Sequence, residues 1–236
     1  MMNVIHPKQL MIAFAVPAFL LEIRKNYFKG FWTCLRSYSL RQDRPLLILV
    51  PLSAFLMLWA DAFLLRHVQA IDGDLERSVI AMGGFVGRHL WQGLIALYLV
   101  AYLVRQEKWQ RLFFSAFLAG ATTGLVAVVL KFTFLRARPD VGLGPFSFFH
   151  LDGILEDDGI FQSFPSGDVA IVAGVASYLF YVLKNHFLKA LIFLVPLSTA
   201  FSRVILNDHW PSDSLFSIGI SLIAARFWWE FKRIQI

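Results

Sequence analysis

The chain has 236 residues, of which 58% are hydrophobic and only 16% charged, with a mean hydropathy of +0.62. Soluble domains carry about 25% charged residues, so the composition excludes an ordinary soluble domain, and it is too apolar for a disordered chain. A single cysteine, Cys34, excludes an intramolecular disulfide framework and argues against a cysteine-cluster metal site; it reads as an inert thiol. The net charge of +6 invites a nucleic-acid reading. The basic residues nevertheless fall between apolar segments rather than on one soluble face, so no nucleic-acid partner is expected.

A membrane-crossing helix needs about 20 mostly apolar residues. The first apolar run, residues 10–21, is too short to span and is followed by Arg24, Lys25 and Lys29. A secretory signal carries its positive charge before the apolar run, so this one reads as an interfacial helix lying on the membrane. Six spans follow, at 45–65, 90–104 (with a possible start through 78–89), 112–135, 166–183, 187–206 and 211–229. The expected fold class is all-α: a polytopic membrane protein with six transmembrane helices and an N-terminal interfacial helix. Residues 1–44 form a basic N-terminal segment and 45–236 one membrane domain, with no repeat, low-complexity tract or linker dividing them. Nothing in the sequence sets an oligomeric state.

Placing both termini in the cytoplasm puts Lys8, Arg24, Lys25, Lys29, Arg36, Arg41, Arg44, Arg105, Lys108, Arg111, Lys184, Lys189, Arg226, Lys232 and Arg233 on that side. These are fifteen of the 22 basic residues, accompanied by four of the 16 acids. The outer side keeps seven basic and twelve acidic residues, the bias that the positive-inside rule requires. Trp59, Trp91, Trp109, Trp210, Trp228 and Trp229 lie near predicted segment ends, where aromatic belts form.

Three polar clusters fall at segment ends on the outer side. Lys131 is in the last turns of the third span, and Arg138 follows seven residues on, about two turns, so the two share a face if the helix continues to Pro139. Arg203 ends the fifth span. Such a cation either snorkels to the headgroups or serves a partner or a function. The fourth span opens with Ser163-Phe164-Pro165-Ser166-Gly167-Asp168, whose first N–H groups form either a plain N-cap or an anion site. The sixth opens with His209 and Asp213, one helical turn apart. That aspartate either favours the helix dipole or takes one imidazole proton, leaving the other nitrogen free to attack. The alternating direction of the spans brings all three clusters to one membrane face. Two arginines, a lysine, free amides and an imidazole then make a phosphate cradle with a nucleophile. Asp61, late in the first span, is expected to reach the outer interface. The 136–164 loop carries Phe146, Phe148 and Phe149 to guide a lipid. His150, Asp152, Glu156, Asp157 and Asp158 read as an ordinary interfacial loop with a turn at Asp158-Gly159, and His150 is a candidate replacement acid.

These motifs resemble the three-part signature of the type 2 phosphatidic acid phosphatase superfamily, which includes membrane lipid phosphatases and vanadium haloperoxidases. Lys131, six residues, then Arg138-Pro139 match the first part, and Pro165-Ser166-Gly167 the second. Ser202-Arg203, five residues, His209, three residues and Asp213 match the third. The resemblance implies that His209 attacks phosphorus to form a phosphohistidine and that Asp213 orients it. It implies that Lys131, Arg138 and Arg203 hold the phosphoryl oxygens, with hydrogen bonds from Ser166 and the Gly167 amide. No metal or other cofactor is required, because the cations supply the positive charge.

Position 168 departs from the pattern. The family's second part usually ends Pro-Ser-Gly-His, and that histidine protonates the leaving oxygen; here Asp168 stands there. Beside three cations an aspartate is expected to be anionic, a poor acid and repulsive to phosphate. Three explanations remain open: a diphosphate substrate whose leaving phosphate needs little protonation, an Asp168 kept protonated by a phosphate oxygen, or weak or lost activity. The expected function is an integral membrane phosphatase acting on a lipid phosphate or diphosphate from the periplasmic face of a bacterial inner membrane. The alternatives are a phosphotransferase using the same site and a non-catalytic lipid-phosphate binder or transporter.

Overall fold

The computed structural model describes residues 28–39, 43–70, 73–151 and 159–234, and among them every regular element is helical. The expected interfacial helix at 10–21 and the loop residues Asp152, Glu156, Asp157 and Asp158 lie outside the described residues. In chain order the helices are α1 (Phe28–Ser37), α2 (Arg44–Gln69), α3 (Asp74–Leu103), α4 (Glu107–Phe134), α5 (Gly167–Val182), α6 (His186–Ile205) and α7 (Pro211–Ile234); a 3-10 turn over Pro139–Val141 follows α4.

Three of these helices are long and apolar enough to cross a membrane: α2, α4 with its extension to Val141, and α6. The others show why composition alone reads them less cleanly. α3 is a continuous helix of 30 residues, but Asp74, Arg77 and Arg88 dilute its first half. The apolar stretch therefore shows plainly in the sequence only from about residue 90, although the helix starts at Asp74. α5 is apolar but has 16 residues, about 24 Å at the α-helical rise. α7 carries Asp213, Arg226 and Glu230.

The bundle turns apolar side chains outward and polar ones inward. Leu103 (76% exposed), Trp59 (72%) and Phe187 (69%) point away from the protein, whereas Asp61, Thr123, Ser177, Ser217, Ser221 and Asp213 are buried. A soluble protein does not expose apolar surface on this scale, and a bilayer accepts it.

Helix α5 is central and packs on α4, α6 and α7, while α3 closes on α6 and α4, and α2 on α7. The α4–α5 crossing is close because it is lined by small residues. A Cβ at Gly174 would sit 2.8 Å from the Ala119 carbonyl oxygen and 2.9 Å from Gly120 Cα. Leu94, Tyr98, Phe114, Tyr178, Trp228 and Phe231 form the main apolar core, which also encloses Cys34. Burial, assisted by the charge of Glu230, pushes the Cys34 thiol up to about 11. Helix α1 is tied to α7 through Tyr38, whose hydroxyl donates to Asp43 at 2.5 Å, and Asp43 pairs with Arg226 at 2.8 Å.

Two tryptophans expected in the interfacial belt are interior instead. Trp210 is 4% exposed and donates its Nε1–H to the Ala137 carbonyl at 2.9 Å; Trp228 is 8% exposed and donates to Thr122 Oγ1 at 2.9 Å. Buried indole N–H groups need partners, and these partners draw the rings inward. Trp59 and Trp109 do face outward.

Candidate active site

The site lies where α4 and α6 end and α5 and α7 begin. α4 stops at Phe134, and Leu135 takes a left-handed conformation (φ 43). The helix therefore does not continue from Lys131 to Arg138, and the condition for the two to share a helical face is not met. A backbone ladder fixes the segment instead: Ala137 N donates to Ser147 O (2.9 Å), Arg138 N to Ile160 O (2.9 Å) and Ser163 N to Arg136 O (3.0 Å). Pro139 opens the 3-10 turn rather than ending the helix.

The predicted residues converge. Lys131 Cε lies beside Gly167, 3.8 Å from where a Cβ would stand. Arg203 pairs through Nη2 with Asp168 at 2.7 Å and through Nη1 with Asp208 at 3.0 Å. Arg138 Nη1 lies 3.5 Å from the other oxygen of Asp208. His209 N donates to the Arg203 carbonyl at 3.4 Å, and Ser166 N to the Asp213 carbonyl at 3.4 Å. Three buried polar atoms in this cluster, Arg138 Nε, Arg203 Nε and Ser166 Oγ, have no hydrogen-bond partner among the described residues. Buried donors without partners are costly. Three in one cluster mark a place built to receive an acceptor-rich group.

His209 is 5% exposed. Its Nδ1 donates to the Ser163 carbonyl at 2.7 Å, which fixes the proton on Nδ1 and leaves Nε2 as the lone-pair nitrogen. Burial, reinforced by the charges of Lys131 and Arg138 and opposed by Asp213, holds the imidazole below the ordinary histidine value of 6.5. A neutral ring near physiological pH is what nucleophilic attack requires.

Asp213 does not touch His209 in the manner expected from the sequence. Its Oδ2 lies 3.7 Å from Nδ1, and that oxygen accepts instead from Ser163 Oγ (2.5 Å) and the Trp210 amide (2.8 Å). The physical reason is saturation: the remaining oxygen is taken by Arg136. Asp213 thus frames the residues on either side of the imidazole rather than the imidazole itself.

None of the sequence motifs includes Arg136. It is fully buried, and its five N–H groups all have acceptors. Nη1 reaches Asp213 and Ser212 Oγ (2.8 Å), Nη2 reaches Asp61 (2.7 Å) and the Pro145 carbonyl (2.7 Å), and Nε reaches the same carbonyl (3.0 Å). The guanidinium also lies over the rings of Phe148 (5.0 Å) and Trp210 (5.4 Å). Asp61 is accordingly fully buried rather than at the interface, because it is the counter-ion of Arg136. The signal in the sequence was Asp61, a lone acid inside an apolar run, which needs a cation such as the arginine at the end of a neighbouring run.

His150 stacks on Phe161 (ring centroids 4.6 Å apart) and pairs with Ser147 Oγ at 2.5 Å. Among the described residues no hydrogen bond or ion pair joins it to the cationic cluster. Beside the site an apolar groove of about 580 Å³ runs between α2, α4, α7 and the loop, lined among others by Phe55, Phe134, Phe146, Phe148, Phe164 and Phe216.

Compared with known proteins, the chain matches the family model described as the PAP2 superfamily over residues 108–235, more than half its length and all eight predicted site residues. The chain belongs to the PAP2 superfamily. This is the family that the sequence motifs resemble, and membership makes it kin to phosphatases. Among solved structures it is similar to the crystal structure of Aquifex aeolicus LpxE, with 21% identity and a TM-score of 0.51 over 72% of this chain and 94% of that one. At that identity the likeness speaks for a shared fold. No curated protein matches the chain. As a PAP2 member with aspartate at position 168, it binds that side chain to Arg203, one of the two arginines expected to hold phosphate.

Proposed function

We propose that this PAP2 protein is an integral membrane phosphatase that hydrolyses a lipid phosphate or diphosphate through a phosphohistidine on His209. The observation that carries the proposal is the fixed imidazole. Its Nδ1 proton is committed to Ser163, so Nε2 keeps its lone pair, and in the neighbouring cluster of Lys131, Arg138 and Arg203 the buried Nε atoms of both arginines lack partners among the described residues. In the reaction Nε2 forms a bond to phosphorus as the bond to the leaving oxygen breaks. Lys131, Arg138, Arg203, Ser166 and the Gly167 amide take the phosphoryl oxygens and stabilise their charge. The leaving group departs as a lipid phosphate from a diphosphate and needs little protonation, or it takes a proton from an Asp168 that a substrate oxygen has drawn away from Arg203 and kept protonated. Water then breaks the P–N bond, releasing inorganic phosphate and restoring the neutral imidazole. Asp213 keeps the frame around His209 in place.

The apolar groove beside the site supports a hydrocarbon-bearing substrate, because Phe164, on its wall, is the neighbour of Ser163. In the proposed topology all six helices from α2 to α7 cross the bilayer, both termini are cytoplasmic, and the site faces the periplasm across a bacterial inner membrane. The charge bias of the connecting segments supports that orientation.

The Asp168–Arg203 pair favours one second reading, a non-catalytic lipid-phosphate binder. The separating experiment measures phosphate released from phosphatidic acid, phosphatidylglycerol phosphate, lipid A and undecaprenyl diphosphate in mixed micelles, with His209→Ala as control. Release by the native protein and none by the variant is expected. Equal release from both overturns the phosphatase reading, and binding without release from either supports the binder.

A further inference from the structure

We infer that Asp61 and Arg136 are positioning residues that hold the nucleophilic imidazole of His209 through Asp213; this rests on the phosphatase reading above. The chain of contacts is continuous and buried. Asp61, on α2, pairs with Arg136 Nη2 at 2.7 Å and also takes the Ser212 amide (2.8 Å) and the Ser212 hydroxyl (2.5 Å). It therefore caps the first turn of α7 from a different helix, binding a backbone N–H that has no partner within α7. Arg136 transmits the hold to Asp213, and Asp213 grips Ser163 Oγ and the Trp210 amide. Ser163 supplies the carbonyl that takes the imidazole proton, and Trp210 is the residue after His209.

Every side chain in this chain of contacts, Asp61, Arg136, Ser212, Asp213 and Ser163, is fully buried. The Asp213 carboxylate, held by Arg136, lies 3.7 Å from Nδ1. Attack by Nε2 makes the ring cationic, and that neighbouring carboxylate opposes the cost. Arg136 belongs to none of the phosphate-holding positions: its donors are all used inside the protein, and none is left for a substrate.

Asp61→Asn keeps the size and the acceptor for the Ser212 amide but removes the charge that holds Arg136. In purified protein in detergent, with the lipid phosphate released fastest in the panel above, it should lower kcat about 10²-fold, the loss that a displacement of about 1 Å at a reacting group produces. KM and inhibition by inorganic phosphate should stay within about threefold, because the phosphate-holding groups are untouched. In spectra of ¹⁵N-histidine-labelled protein, the His209 signal, assigned by its loss in His209→Ala, should leave the single Nδ1-protonated form for a mixture. Ser212→Ala removes only the hydroxyl link and should lower kcat roughly tenfold with KM unchanged; it answers the question if Asp61→Asn does not fold. A folded variant with native kcat, a raised KM with native kcat, or an unchanged His209 signal overturns the inference. If His209→Ala itself retains activity, the phosphatase reading fails instead, and the two failures are told apart.

Discussion

Replacing Arg136 by methionine tests the buried cluster independently of any activity. Arg136, Asp61 and Asp213 are each fully buried, and the arginine's two ion pairs are the only ones that either carboxylate makes to an arginine or lysine among the described residues. Methionine fills much of the volume but leaves two carboxylates facing each other without a counter-ion. Breaking a buried pair by removing one partner costs about 3–5 kcal/mol, because an uncompensated charge remains. For a chain of this length each kcal/mol moves the midpoint by about 2–4 °C, so a fall of roughly 10 °C is expected in thermal unfolding of detergent-solubilised protein. Adding Asp61→Asn to Arg136→Met removes one stranded charge and should recover part of the loss, with a coupling of about 1–3 kcal/mol in the double-mutant cycle. A single variant within about 1 kcal/mol of the native protein, or a cycle with no coupling, would show that Arg136 is not the counter-ion that holds the two carboxylates.

Two further predictions concern the reaction. Asp168→Ala should greatly slow phosphate release from a lipid monophosphate, whereas Asp168→His, which restores the family's usual residue, should raise it above the native rate; unchanged turnover in Asp168→Ala would remove any acid role from that position. The pH dependence follows from His209, which burial and the charges of Lys131 and Arg138 keep neutral below its ordinary value of 6.5, against the opposing pull of Asp213. The acid limb of kcat/KM should therefore lie below pH 6.5. The same shift means that the unfolded chain binds this proton more readily, so the group's contribution to stability is complete above 6.5 and is lost as pH falls from there toward the folded value. An acid limb above pH 7 assigned to His209 would contradict the burial argument.

How much of this was legible in the sequence depends on the range of the interaction. Helices and their directions follow from local apolar runs, and the motif spacing brings Lys131, Arg138, Arg203 and His209 to one end of the bundle, where the structure has them. The path between them is set by long-range contacts. Arg138 is placed by the left-handed turn at Leu135 and by the Ile160 carbonyl that takes its amide, not by seven residues making two helical turns. The partner of the imidazole proton is a backbone carbonyl, that of Ser163, 46 residues away. No side-chain pattern encodes such an acceptor, so the nearer and more familiar Asp213 took its place in the reading. Asp61 and Arg136 are 75 residues apart, and only the principle that isolated intramembrane charges pair off connects them beforehand. Trp210 is interior for a related reason: an indole near a span end suits either a membrane interface or a buried carbonyl, and only the fold supplies Ala137.

The decisive step of the proposed reaction is the passage of a phosphoryl group to His209. Purified protein is mixed with lipid phosphate labelled with ³²P in its headgroup, quenched in alkali within one turnover, digested and mapped by mass spectrometry. A base-stable, acid-labile phosphoryl group on His209, absent from His209→Ala and discharged as inorganic phosphate when the quench is delayed, is the predicted result. Steady phosphate release with no label on the protein, or with the label on a different residue, would contradict it.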